Sequence, residues 1–208
     1  MNLSGKTIKI FLAIIAFAGL FALTGQLYIA IADRKTSLPE AVIRFFGFFT
    51  IQSNILVTLC AAVILLKPAS AWGRFFSRAT TISALTVYII IVGLIYNLVL
   101  RKLYHLKGLH HFDDEILHVA IPLLFVFFWI RFVPKHQLKW NIFPWLIYPI
   151  IYVICIMIRG AFVGYYPYFF LNAAKYGYPM VLLIIAGLLL IFIILSLLLV
   201  AFGEKVWW

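Results

Sequence analysis

Apolar residues in this chain do not alternate as they would along a half-buried strand. They run in six long blocks, at about 8–32, 45–66, 79–100, 115–132, 142–159 and 179–202. Each block comes close to the ~20 residues needed to cross the hydrocarbon core of a bilayer. Lipid offers no partner to backbone N–H and C=O groups, so runs of this kind must be helices. The period-two pattern of an outer-membrane barrel is absent. The connectors ADRKTSLPE, KPASAWGR, RKLYHLKGLHHFDD, VPKHQLKW and GYYPYFFLNAAKYGYP carry the Gly, Pro and charged punctuation of loops, and none could house a soluble domain. The last is rich in Tyr and Phe, which predicts a position in the headgroup zone or folded over the helix ends. The expectation is an all-α, polytopic integral membrane protein, a bundle of six transmembrane helices forming one domain over residues 1–208.

Composition agrees. Of the 208 residues 66% are hydrophobic and 11% charged, against roughly 45–50% apolar for soluble domains. The net charge of +11 reflects scarce acids rather than a basic face, so nucleic acid is not an expected partner. The scattered Lys and Arg read as loop cations near anionic headgroups. An even helix count puts both termini on one side, and the basic residues divide nine to eight in favour of that side. The expectation is the cell (plasma) membrane with cytoplasmic termini. Lysines precede the first block as in a signal peptide, but the block is too long for a signal h-region and reads as a first membrane helix. Cys60 and Cys155 lie in apolar blocks without metal or disulfide spacing and read as buried free thiols.

The polar residues inside the blocks carry the chemical signal. In FFTIQSNIL (48–56), Thr50, Ser53 and Asn54 share one helix face, while Gln52 points away and reads as a packing residue. At 1.5 Å per residue, Thr50 falls roughly 8 Å below the start of the second block. His118 lies at a similar depth in the fourth, and Gln26, Asn97, Arg159 and Tyr178 fall near the same membrane face. Intramembrane polar groups usually face a bundle interior or wet cavity, although Ser and Asn also serve as glue between helices. On the fourth block, Asp114 and Glu115 precede His118 by four and three residues, so either could reach its ring. Pro122 removes the N–H that would bond the carbonyl of His118, leaving an acceptor beside the histidine.

A hydroxyl, an imidazole and a carboxylate make an activated nucleophile. Thr50 would attack an ester carbonyl, His118 would relay its proton, and Asp114 would fix the imidazole. Asn54 and Asn97 are the candidate oxyanion donors, with Ser53 in support. Arg44, Arg159 or Lys175 could hold a carboxylate or phosphate headgroup. The partner expected is a membrane lipid or fatty acyl ester substrate, with no cofactor and no metal.

The series FFTIQSNIL, IYNLVL (95–100), DDEILHVAIP (113–122), YPIIY (148–152) and GYP (177–179) resembles the bacterial "Pr-six-Pr" branch of the androgen-induced-protein superfamily, along essentially the whole chain. Each motif is short, and their order is the specific feature. The animal relatives are six-helix threonine hydrolases of fatty acid esters of hydroxy fatty acids, with one essential Thr and one essential His. The resemblance implies that Thr50 and His118 hold those positions. The sequence around Thr50 follows the bacterial branch rather than the animal one.

Three other readings compete. A small transporter or lipid-binding protein could use the same polar layer, although no internal repeat of transporter type is visible. A metal hydrolase could recruit His105, His110, His111 and His118 with Asp113 and Asp114, but no H-E-x-x-H pattern is present. A purely structural bundle would not need its polar residues gathered at one depth.

Overall fold

The computed structural model describes residues 5–103 and 108–205. It is 85% helical with no strands among those residues. Six helical segments are long and apolar enough to cross a membrane: Lys6–Ala32, Phe49–Leu66, Ala79–Leu103, Leu109–Phe132, Phe143–Val163 and Tyr178–Gly203. The chain is therefore an all-α polytopic membrane protein. The helices group into two compact units, Met1–Gln137 and Leu138–Trp208.

In the first unit, α1 (Lys6–Ala32) runs against α3 (Phe49–Leu66), and α5 (Ala79–Ile95) packs on both α3 and α7 (Ile121–Phe132). Ile15, Val57, Ile82, Ile89, Phe125 and Phe128 are fully buried and form its centre. Lipid tails are as apolar as these side chains, so helix association in a bilayer depends on close packing. Glycine provides it here. A Cβ at Gly19 would collide with Thr58 Oγ1, and one at Gly25 with Asp113 Oδ2.

The second apolar block is not one helix. α2 (Leu38–Phe46) ends at Gly47, Phe48 is extended (φ −81°, ψ 129°), and α3 begins at Phe49. Gly47 N–H bonds the carbonyls of Ile43 and Arg44, closing α2. Gln52 Nε2 donates to the carbonyl of Phe46 at 2.8 Å, so the residue set aside as packing ties the break together. Thr50 thus lies in the first turn of a membrane helix rather than roughly 8 Å inside one. The fourth span starts earlier than its apolar block. HHFDDE is helical in α6 (Leu109–Glu115), with Asp113 sealed against α1 and His110 Nε2 lying 3.2 Å from Asp33 Oδ2 at the end of α1.

Two π-helical turns interrupt the regular ladder, Tyr96–Leu100 after α5 and Ile116–Ala120 between α6 and α7. The short α4 (Ala71–Phe76) is capped by Ser70 Oγ, which accepts from Gly73 N–H.

In the second unit, α8 (Phe143–Val163) and α10 (Tyr178–Lys205) pack together. The aromatic connector folds back on α10 through the turn Phe169–Leu171 and α9 (Ala173–Tyr176), which Asn172 caps through Lys175 N–H. Cys60 is buried as expected, but Cys155 is exposed on α8. In a membrane protein an apolar residue can be solvated by lipid, so apolar context does not imply burial.

Candidate functional site

The two π turns meet where His118, in the second, packs on Tyr96 in the first. The Tyr96 ring stacks on the His118 ring at 3.8 Å between centroids and 18° between planes. His118 Nδ1 lies 2.9 Å from the backbone oxygen of Asp114 and 3.0 Å from its Oδ1. The backbone oxygen can only accept, so Nδ1 carries a proton and Nε2 is the ring nitrogen turned away from Asp114. Of the two acids within reach by spacing, it is Asp114 whose carboxylate meets the ring. Glu115 Oε1 instead lies 2.6 Å from Arg101 Nη2 and 3.7 Å from His111 Nδ1.

Thr50, Ser53 and Asn54 are all buried on one face of α3, and this face continues through Val57, Cys60 and Ile64. Asn54 Nδ2 donates to the carbonyls of Thr50 at 2.9 Å and Leu117 at 3.3 Å. One nitrogen therefore joins the Thr50 peptide to the peptide before His118, and the two carbonyl oxygens lie within roughly 6 Å of each other. Asn97 Nδ2 donates to the carbonyls of Gly93 at 2.8 Å and His118 at 3.2 Å. The logic is set by Pro122. Having no N–H, it can serve neither His118, four residues back, nor Leu117, five residues back in a π register. Each of these carbonyls receives an asparagine from a neighbouring segment.

The expected oxyanion donors have partners of their own. Asn54 and Asn97 stand beside His118, but each NH2 group is already bonded to two carbonyls. Two acceptors on α3, Asn54 Oδ1 and Ser53 Oγ, are buried without a hydrogen-bond partner among the described residues, as are Asp114 Oδ2 and both oxygens of Asp113.

Gln26 is half-buried on α1, one residue past the Gly25–Asp113 contact. Arg159 and Tyr178 belong to the second unit. There the Arg159 guanidinium lies 5.7 Å from the centre of the Tyr165 ring, and Tyr178 opens α10 with its side chain exposed. Arg44 pairs with Glu40 at 2.7 Å. The polar layer is not exclusive, since Trp129 Nε1 donates to Ser83 Oγ at 2.7 Å nearer the other end of the spans.

Tyr96 is the residue that sequence reasoning missed. It sits inside IYNLVL beside Asn97, yet an aromatic in an apolar block gives no signal of its own. Among the described residues, no group of three or more His, Cys, Asp or Glu is arranged to hold a metal; His105 lies outside them. No protein-family model, curated protein or solved structure matches this chain.

Proposed function

We propose that the protein is an intramembrane hydrolase of lipid esters, of the threonine type that the motif series resembles, acting on fatty acid esters of hydroxy fatty acids or similar lipids. The observation that carries this reading is the fixed imidazole. Asp114 supplies two acceptors to Nδ1, Tyr96 covers one ring face, and the base nitrogen is Nε2. In the proposed reaction, Thr50 Oγ attacks the acyl carbonyl and its proton passes to Nε2. The imidazolium then protonates the leaving alkoxide; in deacylation water, deprotonated by the same nitrogen, attacks the acyl-threonine, and Nε2 returns that proton to the departing Thr50 Oγ as the acid is released. With the asparagine amides engaged, negative charge at the attacked carbonyl is favoured by the positive end of the α3 dipole, at whose first turn Thr50 sits. The location that accompanies this reading is the cell membrane with cytoplasmic termini, supported by the small excess of basic residues on the terminal side.

A second reading, a lipid carrier, draws on the same two asparagines: a site without side-chain oxyanion donors can bind an ester and leave it intact. Labelling with a lipophilic fluorophosphonate ester separates the two. The hydrolase reading expects an adduct on Thr50 that disappears in His118→Ala. A site that binds the probe reversibly and never acquires the adduct overturns it in favour of the carrier.

A further inference from the structure

α2 is nine residues long, about 13 Å, which is too short to cross the ~30 Å core of a bilayer. It nevertheless joins two spans. Five residues separate the end of α1 at Ala32 from α2, and two separate α2 from the start of α3. Both of its ends are therefore held at the edge of the hydrocarbon.

Its three faces differ. Ala41 and Phe45 are buried against the unit. Glu40 and Arg44 form the ion pair on a second face. The third carries Pro39, Ile43 and Phe46, spaced by four and three residues and exposed; Ile43 is 50% and Phe46 46% accessible. Leu38, at the start of the helix, is 48% accessible. An apolar face next to a charged one, on a helix that cannot span, matches the requirements for lying in the membrane interface.

We propose that α2 is an interfacial helix whose Pro39, Ile43 and Phe46 face docks into the boundary between phospholipid headgroups and acyl chains. Arg34 and Lys35 lie just before it, where their side chains can reach headgroup phosphates on the water side. The inference is independent of the hydrolase reading and needs no substrate for its test.

Single cysteines would be placed at 43, 46 and, as a control, at 37 in the connector. Exposed Cys155 is replaced, and buried Cys60 is retained. An environment-sensitive fluorophore on each is read in vesicles of phosphatidylethanolamine and phosphatidylglycerol. Positions 43 and 46 should be quenched several-fold more by a nitroxide near the headgroup than by one at the chain terminus. Position 37 should be quenched little by either. Equal, weak quenching at all three positions overturns the proposal, and so does stronger quenching at 43 and 46 by the deep nitroxide. Cross-linking between labelled chains in place of quenching would assign the face to a second copy and equally overturn it. The unmodified chain provides a second reading. Vesicles carrying a headgroup-proximal diazirine lipid should form adducts within Leu38–Phe46. Adducts confined to the ends of the spans would refute the docking.

Discussion

Asn97→Leu tests the claim that Pro122 creates the need for a side-chain donor. Leucine keeps the volume and removes both hydrogen bonds. The Gly93 carbonyl keeps the backbone N–H of Tyr96, so the loss falls on the His118 carbonyl, which Asn97 reaches at 3.2 Å and Pro122 cannot serve. Leaving a buried carbonyl short of a donor costs about 1–3 kcal/mol. Hydrogen bonds between membrane helices measure lower, about 0.6 on average and 1.7 at most. The expected loss is therefore about 1–2 kcal/mol, a roughly 5- to 30-fold change in the folding equilibrium. Reversible unfolding in mixed micelles would measure it. The decisive comparison is the double-mutant cycle with Pro122→Ala, which returns an N–H four residues beyond His118. In that background Asn97→Leu should cost under about 0.5 kcal/mol, because the carbonyl has its own helical donor. If Asn97→Leu costs the same in both backgrounds, the asparagine does not substitute for the missing proline N–H and the reasoning fails.

Three further outcomes follow from the site and its surroundings. Thr50→Ala and His118→Ala should each abolish lipid-ester hydrolysis while leaving helical circular dichroism unchanged; wild-type turnover in both would remove the hydrolase reading. Asp114→Asn should be milder, about 10- to 100-fold in kcat, because the Asp114 backbone oxygen still accepts from Nδ1 at 2.9 Å and holds the tautomer whose loss elsewhere costs about 10⁴; a loss equal to that of His118→Ala would show that the carboxylate does more than orient. At the far end of α7, Lys135 is buried, donates to the carbonyls of Ile130 and Val133, and lies 5.3 Å from the centre of the Trp129 ring. Burial lowers its pKa below the usual lysine value, so between the folded and the ordinary pKa the unfolded chain binds more protons, and stability should rise with pH across that interval. Thermal melts of wild type against Lys135→Met should show this rise only in the wild type, and a parallel pair of curves would refute it.

The six spans were legible because lipid leaves a chain little choice. Long apolar runs mark helices, and their ends fall within a few residues of the observed ones except at the starts of the second and fourth spans. Two boundaries misled for physical reasons. FFGFF (45–49) is uniformly apolar, so the break at Gly47 and Phe48 left no change in hydropathy, and only the glycine hinted at it. HHFDD looked like a connector because it is polar, yet it is helical where Gly25 lets α1 close over Asp113. In the site, the four-residue spacing of Asp114 and His118 foretold the carboxylate–imidazole contact, and Pro122 foretold an unserved carbonyl. The donors were not legible, because Asn97 lies 21 residues away from His118 and Asn54 63 away from Leu117. An amide in a greasy block reads equally well as an oxyanion donor and as a patch for a broken helix. Tyr96 and the π turns have no sequence signature beyond that proline.

If the protein is the lipid-ester hydrolase proposed above, the break before α3 has a consequence for how turnover is measured. Thr50 lies one residue inside α3, and in the proposed reading α3 starts at the edge of the hydrocarbon, the level at which membrane lipids carry their ester groups. A lipid cleaved there need not leave its leaflet, so the relevant substrate variable is mole fraction in the surface rather than moles per litre of solution. Rates should then fall when inert detergent is added at constant bulk substrate, and stay constant when micelles and substrate are diluted together. A rate that follows bulk concentration instead would mean that the lipid reaches Thr50 through water.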